Sequence, residues 1–250
     1  MMMKIKNIIS LFPLLLFFCF GCNGSDSPDD TPTYGQISIS VDETFKPLID
    51  SEIFTFEGIY NYADVDVSYK TEMGAFNDLM NDTIRLIIVP RQLNKDELKE
   101  FEKWEIVPKV TKIAYDAVAL IGSKDLKDST LTLDEIKTLL SEGSVSSFKN
   151  VKVVFDNNNS STINFLKEKT GVQTLSSNCY ALTSNNAVLD YIAKEKNSIG
   201  VIGVNWISDR DDTTNLSFLK SIKVMEISVN ESSEFYKPYQ AYIAQKIYPL

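Results

Sequence analysis

A strand that runs into a crowd of amide and hydroxyl side chains, and then directly into a helix, constrains this chain more than any other stretch. Residues 151–155 alternate apolar side chains and predict a strand. Asp156-Asn157-Asn158-Asn159-Ser160-Ser161-Thr162 then makes a polar turn, and Ile163, Leu166 and Lys167 fall at helical spacing. Three hydroxyls therefore stand at a helix N-terminus, where backbone N–H groups lack intrahelical partners and the dipole favours negative charge. Two readings fit. The hydroxyls can cap their own helix, or they can join its N–H groups in holding an anion.

The pattern repeats along the chain. Residues 36–41 predict a strand that ends in Asp42-Glu43-Thr44-Phe45-Lys46-Pro47, with Pro47 suited to a first helical turn. Residues 65–69 predict another, turning through Thr71 and Gly74 into a helix. Residues 84–89 predict a third, ending at Pro90-Arg91, and Asn94 with Glu97 forms a capping box. Further strands are expected at 113–121, at 198–204 and at 222–229, with helices from Thr132 and from Ser184 between them. Such alternation predicts an α/β fold of mostly parallel sheets with helices on both faces. Ligands of such sheets sit outside the carboxyl ends of the strands, so Thr44, Phe45, Thr71, Arg91, Ser160, Ser161 and Thr162 are the candidate site. The two glycines at 200 and 203 predict close backbone approach, by a neighbour or by a ligand.

The N-terminus stands apart from this pattern. Lys4 and Lys6 precede an apolar run over 8–20, then Gly21-Cys22, as in a secretory leader spanning 1–21. The run is too short to predict a membrane span. Residues 22–36 are rich in Ser, Asp, Pro and Gly and predict a flexible tether. Removing the leader takes two lysines from the 25 basic residues and none from the 34 acidic ones, leaving 23 against 34, a formal net of −11. That charge argues against nucleic acid and against docking on anionic lipid through a basic patch.

Histidine is absent. Ser-His-Asp and Cys-His nucleophilic sites and His-ligated zinc are thereby excluded. With Cys19 in the leader and Cys22 at the mature start, Cys179 is the only thiol left, expected as a small core residue. No metal site, no cofactor and no enzymatic activity is expected. Tyr236, Tyr239 and Tyr242 are expected to pack rather than bind.

Phe18-Cys19-Phe20-Gly21-Cys22 resembles a bacterial lipobox, with Cys22 as the lipidated residue. Asp42-Glu43-Thr44-Phe45-Lys46-Pro47, Tyr115-Asp116-Ala117-Val118-Ala119-Leu120-Ile121, the 155–162 stretch and Ile199-Gly200-Val201-Ile202-Gly203-Val204-Asn205-Trp206 together resemble the phosphate-binding lipoproteins of ABC transporters, in their Bacteroidetes branch. The resemblance implies the two-lobed periplasmic binding protein fold, type II-like, with 37–111 and 206–250 in one lobe and 112–205 in the other. It implies an extracytoplasmic, monomeric lipoprotein, tied to the membrane through its lipid alone, that captures phosphate or a related oxyanion and hands it to a transporter permease. Carried over by motif, the ligand groups are Thr44 with the Phe45 amide, the Thr71 turn, and Ser160, Ser161 and Thr162.

Two positions depart from the family pattern. Where relatives place an acid at a strand end this chain reads Val89-Pro90-Arg91, and Asp156 replaces the usual Arg before the hydroxyl turn. Arg91 is expected to restore that charge. Without the acid, phosphate is expected to be held with less selectivity against sulfate. Relatives also continue past the equivalent of Leu250, so the resemblance implies a C-terminal truncation. The altered residues equally fit a surface lipoprotein that uses the same fold as an interaction or sensing module.

Overall fold

The computed structural model describes residues 30–208 and 220–250. The leader, Cys22 and most of the tether lie outside the described residues.

The first lobe is built on three parallel strands in the order β2-β1-β3. Strand β1 (Gly35–Asp42) pairs with β2 (Ala63–Lys70) over its whole length, from Gly35↔Ala63 to Asp42↔Lys70. Strand β3 keeps only Ile87–Ile88 of the expected run at 84–89. A 3₁₀ turn (Glu43–Phe45) leads from β1 into α1 (Lys46–Ile59), with Pro47 in the first turn where its missing N–H costs nothing. Helix α2 (Glu72–Met80) follows β2, and α3 (Lys95–Lys103) follows β3. The capping box expected on Asn94 and Glu97 is present. Ile39, Val41, Phe45 and Ile49 form a small core, packed on by Val65, Val67, Tyr69 and Ile88.

The second lobe holds a five-stranded sheet in the order β7-β6-β8-β4-β9. Strands β6 (Lys152–Phe155), β7 (Cys179–Ala181) and β8 (Ser198–Gly203) are parallel. Strand β4 (Val118–Ser123) runs antiparallel to β8, with Val118 opposite Gly203. The remaining elements are β5 (Thr130–Thr132), α4 (Leu133–Glu142), α5 (Ser161–Thr170), α6 (Asn185–Lys194), α7 (Asn205–Ser208), β9 (Ile222–Val224), β10 (Glu226–Ser228) and α8 (Gln240–Ala244). The core of this lobe is large and continuous, from Ala117 through Leu120, Phe155, Leu166 and Ile199 to Leu250. At Gly200 an added Cβ would meet Val188 and Ile192 of α6 at under 3.0 Å, so this glycine answers to a neighbour.

The chain's last segment differs from expectation. Residues 206–250 are expected in the first lobe, yet the buried Ile222, Met225, Ile227, Tyr248 and Leu250 join the core of the second. The strand expected at 222–229 breaks at the fully buried Met225 and changes partner there, from β4 to β5. Tyr248 donates its hydroxyl to the Val118 carbonyl at 3.0 Å, and Leu250 is buried beside it. The cause is that β4 and β5 each offer an edge that β9 and β10 complete. Hydrophobic pattern shows that a strand wants a partner, not which edge receives it.

Candidate functional site

Nearly every candidate lies at one edge of the fold. In the first lobe the parallel strands end at Asp42, Lys70 and Ile88, which sets Asp42-Glu43-Thr44, Thr71 and Arg91 side by side. In the second lobe β6, β7 and β8 end at Phe155, Ala181 and Gly203, followed by Asp156–Thr162, Ser184-Asn185 and Asn205. Because β4 is antiparallel to β8, its beginning shares that edge, which brings Asp116 to it as well.

The two lobes meet through hydroxyls. Thr44 Oγ1 and Ser161 Oγ are 3.0 Å apart, although 117 positions separate them in the chain. Thr44, Ser160 and Thr162 are each only 2% exposed, and Ser161 is buried too. The Trp206 indole donates to the Thr44 carbonyl at 2.8 Å. Gly203 makes this approach possible: a Cβ there would stand 2.6 Å from the Thr44 methyl.

Within the second lobe the hydroxyls differ in what they touch. Ser160 caps α5, accepting from the Thr162 N–H at 3.2 Å, and its hydroxyl meets that of Thr162 at 2.7 Å. Ser161, one position on, is the hydroxyl turned to the other lobe. In the first lobe Asp42 caps the 3₁₀ turn, its Oδ1 accepting from the Thr44 N–H at 2.9 Å. Phe45 is the N-cap residue of α1. Thr71 uses its hydroxyl to cap α2, accepting from the Gly74 N–H at 3.2 Å. It shares the edge but makes no hydrogen bond to Thr44 or Ser161.

Arg91 is not free to supply an unpaired charge. Its Nε donates to Glu72 at 2.6 Å, and its two terminal nitrogens form a fork on Glu97 at 2.9 Å each. A further N–H reaches the Gln92 carbonyl at 2.9 Å. Four of a guanidinium's five N–H groups are thus engaged, leaving one. The plane stacks 3.7 Å from the centre of the Phe76 ring. The fork on Glu97, first among the causes, pushes the Arg91 pKa up and holds Glu97 below its usual range.

Acids dominate the remaining surface of the cleft. Asp42 and Asp156 are each 2% exposed. Burial is the chief cause that raises both pKa values, against the pull of nearby hydroxyls: Thr44 and Ser161 at Asp42, Ser160 and Thr162 at Asp156. Glu43 is raised by burial and by facing Asp156 across the lobes. Asp116 lies on an exposed stretch of chain, yet protein packed around its carboxyl pushes it up to about 6. Asp42 Oδ2, Asp156 Oδ1 and both amide atoms of Asn185 and Asn205 are buried without a hydrogen-bond partner among the protein atoms. Polar atoms so placed at the strand ends of both lobes are open to water or to an entering ligand. Asp42, Asn185 and Asn205 escaped sequence reasoning as site residues. Their signal was position alone: Asp42 ends β1, and Asn205 and Asn185 stand two and four residues past the ends of β8 and β7. No group of three or more acids, histidines or cysteines among the described residues is arranged to hold a metal ion.

Two lobes that meet through strand-end turns, with donors and acceptors facing inward, define the periplasmic binding protein fold. The chain belongs to the family described as the PBP superfamily domain, whose model matches residues 26–250. It is 24% identical over 216 residues to the phosphate-binding protein PstS of Borreliella burgdorferi, covering 80% of this chain and 73% of that one. Its fold resembles that of a Clostridium perfringens protein assigned as a phosphate ABC transporter substrate-binding protein and solved with bound phosphate. That match has a TM-score of 0.68 and 18% identity, over 86% of this chain and 82% of the other. An ABC-type phosphate transport receptor from Vibrio cholerae matches with a TM-score of 0.57 and 15% identity, over 85% and 82%.

Proposed function

We propose that this chain is an extracytoplasmic solute-binding protein that captures an inorganic oxyanion, phosphate first, between its lobes for ABC-type uptake. The observation that carries the reading is the 3.0 Å meeting of the Thr44 and Ser161 hydroxyls at two strand-end turns from different lobes. An oxyanion entering there would part these hydroxyls and take both as donors. It would also meet the backbone N–H groups that open α1 and α5, where the helix dipoles favour it. Ser160, Thr162 and the Thr71 turn extend the donor set, and Arg91 adds its one remaining N–H. The names of the relatives support phosphate as the first ligand to try. Cys22 would carry the lipid that holds the protein at the membrane. Among the described residues no helix is long and apolar enough to cross one.

Binding drives closure only if the ligand prefers the closed state. Micromolar capture needs about −8.2 kcal/mol, which several charge-assisted hydrogen bonds at about 1.5–3 kcal/mol each reach after the costs of association. Calorimetric titration of the folded protein with phosphate tests the reading, and Thr44→Val, nearly isosteric, should weaken binding by about tenfold. A folded protein that binds no phosphate at millimolar concentration overturns it, and the interaction-module reading then stands.

A further inference from the structure

A cleft that holds an anion should not be lined with ionised carboxylates, and here the arrangement of two of them indicates how that conflict is resolved. Asp42 and Asp156 lie on opposite lobes, and each has one oxygen satisfied and one not. Asp42 Oδ1 accepts from the Thr44 N–H, while Oδ2 has no partner. Asp156 Oδ2 accepts from the Asn157 amide at 3.1 Å, while Oδ1 has no partner. Both residues are 2% exposed. The groups facing Asp42 are Glu72 at the start of α2, Asp116 at the crossing, neighbouring Glu43, and the Thr44 and Ser161 hydroxyls. Those facing Asp156 are Glu43 of the other lobe, Asn157, and the Ser160 and Thr162 hydroxyls. The nearby cations do not compensate. Lys46 bonds Asp50 beside Glu43, and Arg91 is held by Glu72 and Glu97.

An ionised carboxylate only accepts hydrogen bonds, and a buried one with an open lone pair is costly. Closing the lobes therefore brings Asp42, Glu43 and Asp156 together under conditions that favour the neutral form of each. We propose that this cleft takes up protons as it closes, one at the unpartnered oxygen of Asp42 and one at that of Asp156. The protons arrive on an oxyanion bound in its protonated form, or on the carboxyls themselves from solvent. No other bond is made or broken. The ligand part of this inference rests on the oxyanion reading above, and the closure part does not. Sulfate, which brings no proton at neutral pH, is the probe that separates the two sources of the proton.

The test has a ligand-free arm and a ligand arm. In a Trp104→Phe background Trp206, which bonds Thr44 across the lobes, is the only tryptophan and reports closure by its emission. Lowering the pH from 8 to 5 without ligand should shift that emission toward the buried form, and Asp42→Asn with Asp156→Asn should abolish the shift. In calorimetry across buffers of different ionisation enthalpy, phosphate should bind with net proton uptake at pH 8. Sulfate should bind at pH 5 and not at pH 8, its affinity falling by up to about tenfold per pH unit for each proton taken up. Asp156→Asn, which replaces an acceptor by an N–H donor, should let sulfate bind at pH 8. If Asp156→Asn does not fold, Asp42→Asn serves instead, because its amide oxygen still caps the 3₁₀ turn. Phosphate binding without proton uptake, together with pH-independent Trp206 emission, overturns the inference while leaving the oxyanion reading intact. Absence of all anion binding fails the oxyanion reading instead, and the emission arm still decides whether closure takes up protons.

Discussion

Replacing Gly203 with alanine should hold the two lobes apart. Gly203 ends β8, and its backbone is not in the left-handed region, so alanine fits the chain locally. The obstacle is the other lobe: the new Cβ would stand 2.6 Å from the Thr44 methyl, where ordinary contact begins at 3.4 Å. Thr44 must withdraw by about 1 Å to restore a normal carbon–carbon distance. That movement would stretch the 3.0 Å bond to Ser161 beyond hydrogen-bonding range. Overpacking of this kind costs about 1–3 kcal/mol. Charged wholly to the closed state, it lowers phosphate affinity by about 5- to 150-fold. Calorimetry measures the affinity, and small-angle scattering with Trp206 emission measures the opening. If the fold instead absorbs the clash, Tm falls by about 2–4 °C per kcal/mol and affinity follows less. Unchanged affinity with unchanged Tm would refute the claim that Gly203 and Thr44 set the approach of the lobes.

Three further outcomes are expected. Arg91→Ala removes the fork on Glu97, the bond to Glu72 and the stack on Phe76. It should cost about 2–3 kcal/mol of stability and on the order of 5 °C in Tm, with phosphate weakened through the one free N–H. A large loss of affinity at constant Tm would mean that Arg91 leaves its carboxylates for the ligand. For pH, the raised acids Asp42, Asp156 and Asp116 keep protons in the folded state that the unfolded chain has released, so stability falls as pH rises from about 4 through their folded pKa values, that of Asp116 being about 6. The lowered acids Asp78, Glu97 and Asp128 act oppositely, but lose their contribution only as pH falls below the ordinary carboxylate range. Wild-type Tm should therefore be higher at pH 5.5 than at pH 8, and Asp42→Asn with Asp156→Asn should reduce the difference; a higher Tm at pH 8 contradicts the buried carboxyls. Finally, Cys22→Ser should release the protein from membranes of labelled cells, and unaltered membrane association would place the anchor elsewhere.

Much of the fold was legible because its signals are local. Apolar alternation marked β1, β2, β6 and β8 to within a residue or two, and cap chemistry marked the starts of α3, α4 and α5. Tertiary contacts decided the rest. The apolar run at 84–89 suited a longer strand, but only Ile87 and Ile88 found β1 as a partner. The run at 113–121 begins to pair only at Val118, because the residues before it form the crossing between the lobes. The break at Met225, where one strand serves two sheets, shows in the sequence only as a one-residue shift of the alternation, from Ile222 and Val224 to Met225, Ile227 and Val229.

The site was legible in its hydroxyls and illegible in its charges, for a related reason. A hydroxyl beside a helix start is recognisable because capping and anion holding ask for the same residue in the same place, and Thr44, Ser160, Ser161 and Thr162 are all found there. The role of a carboxyl depends instead on what covers it. Glu72 reads as a solvated acid at a helix start and Glu97 as half of a capping box. Both in fact close on Arg91, from two different helices. Asp156 reads as the loss of an arginine. In the fold it becomes a buried acceptor facing an acid of the opposite lobe. A cation held by two acids, with an acid where a cation is usual, leaves hydroxyls and helix starts, not net charge, as the groups that would hold an anion in the proposed reading. In the proposed proton uptake, protonation is what turns these carboxyls from groups that repel an anion into hydrogen-bond donors toward it.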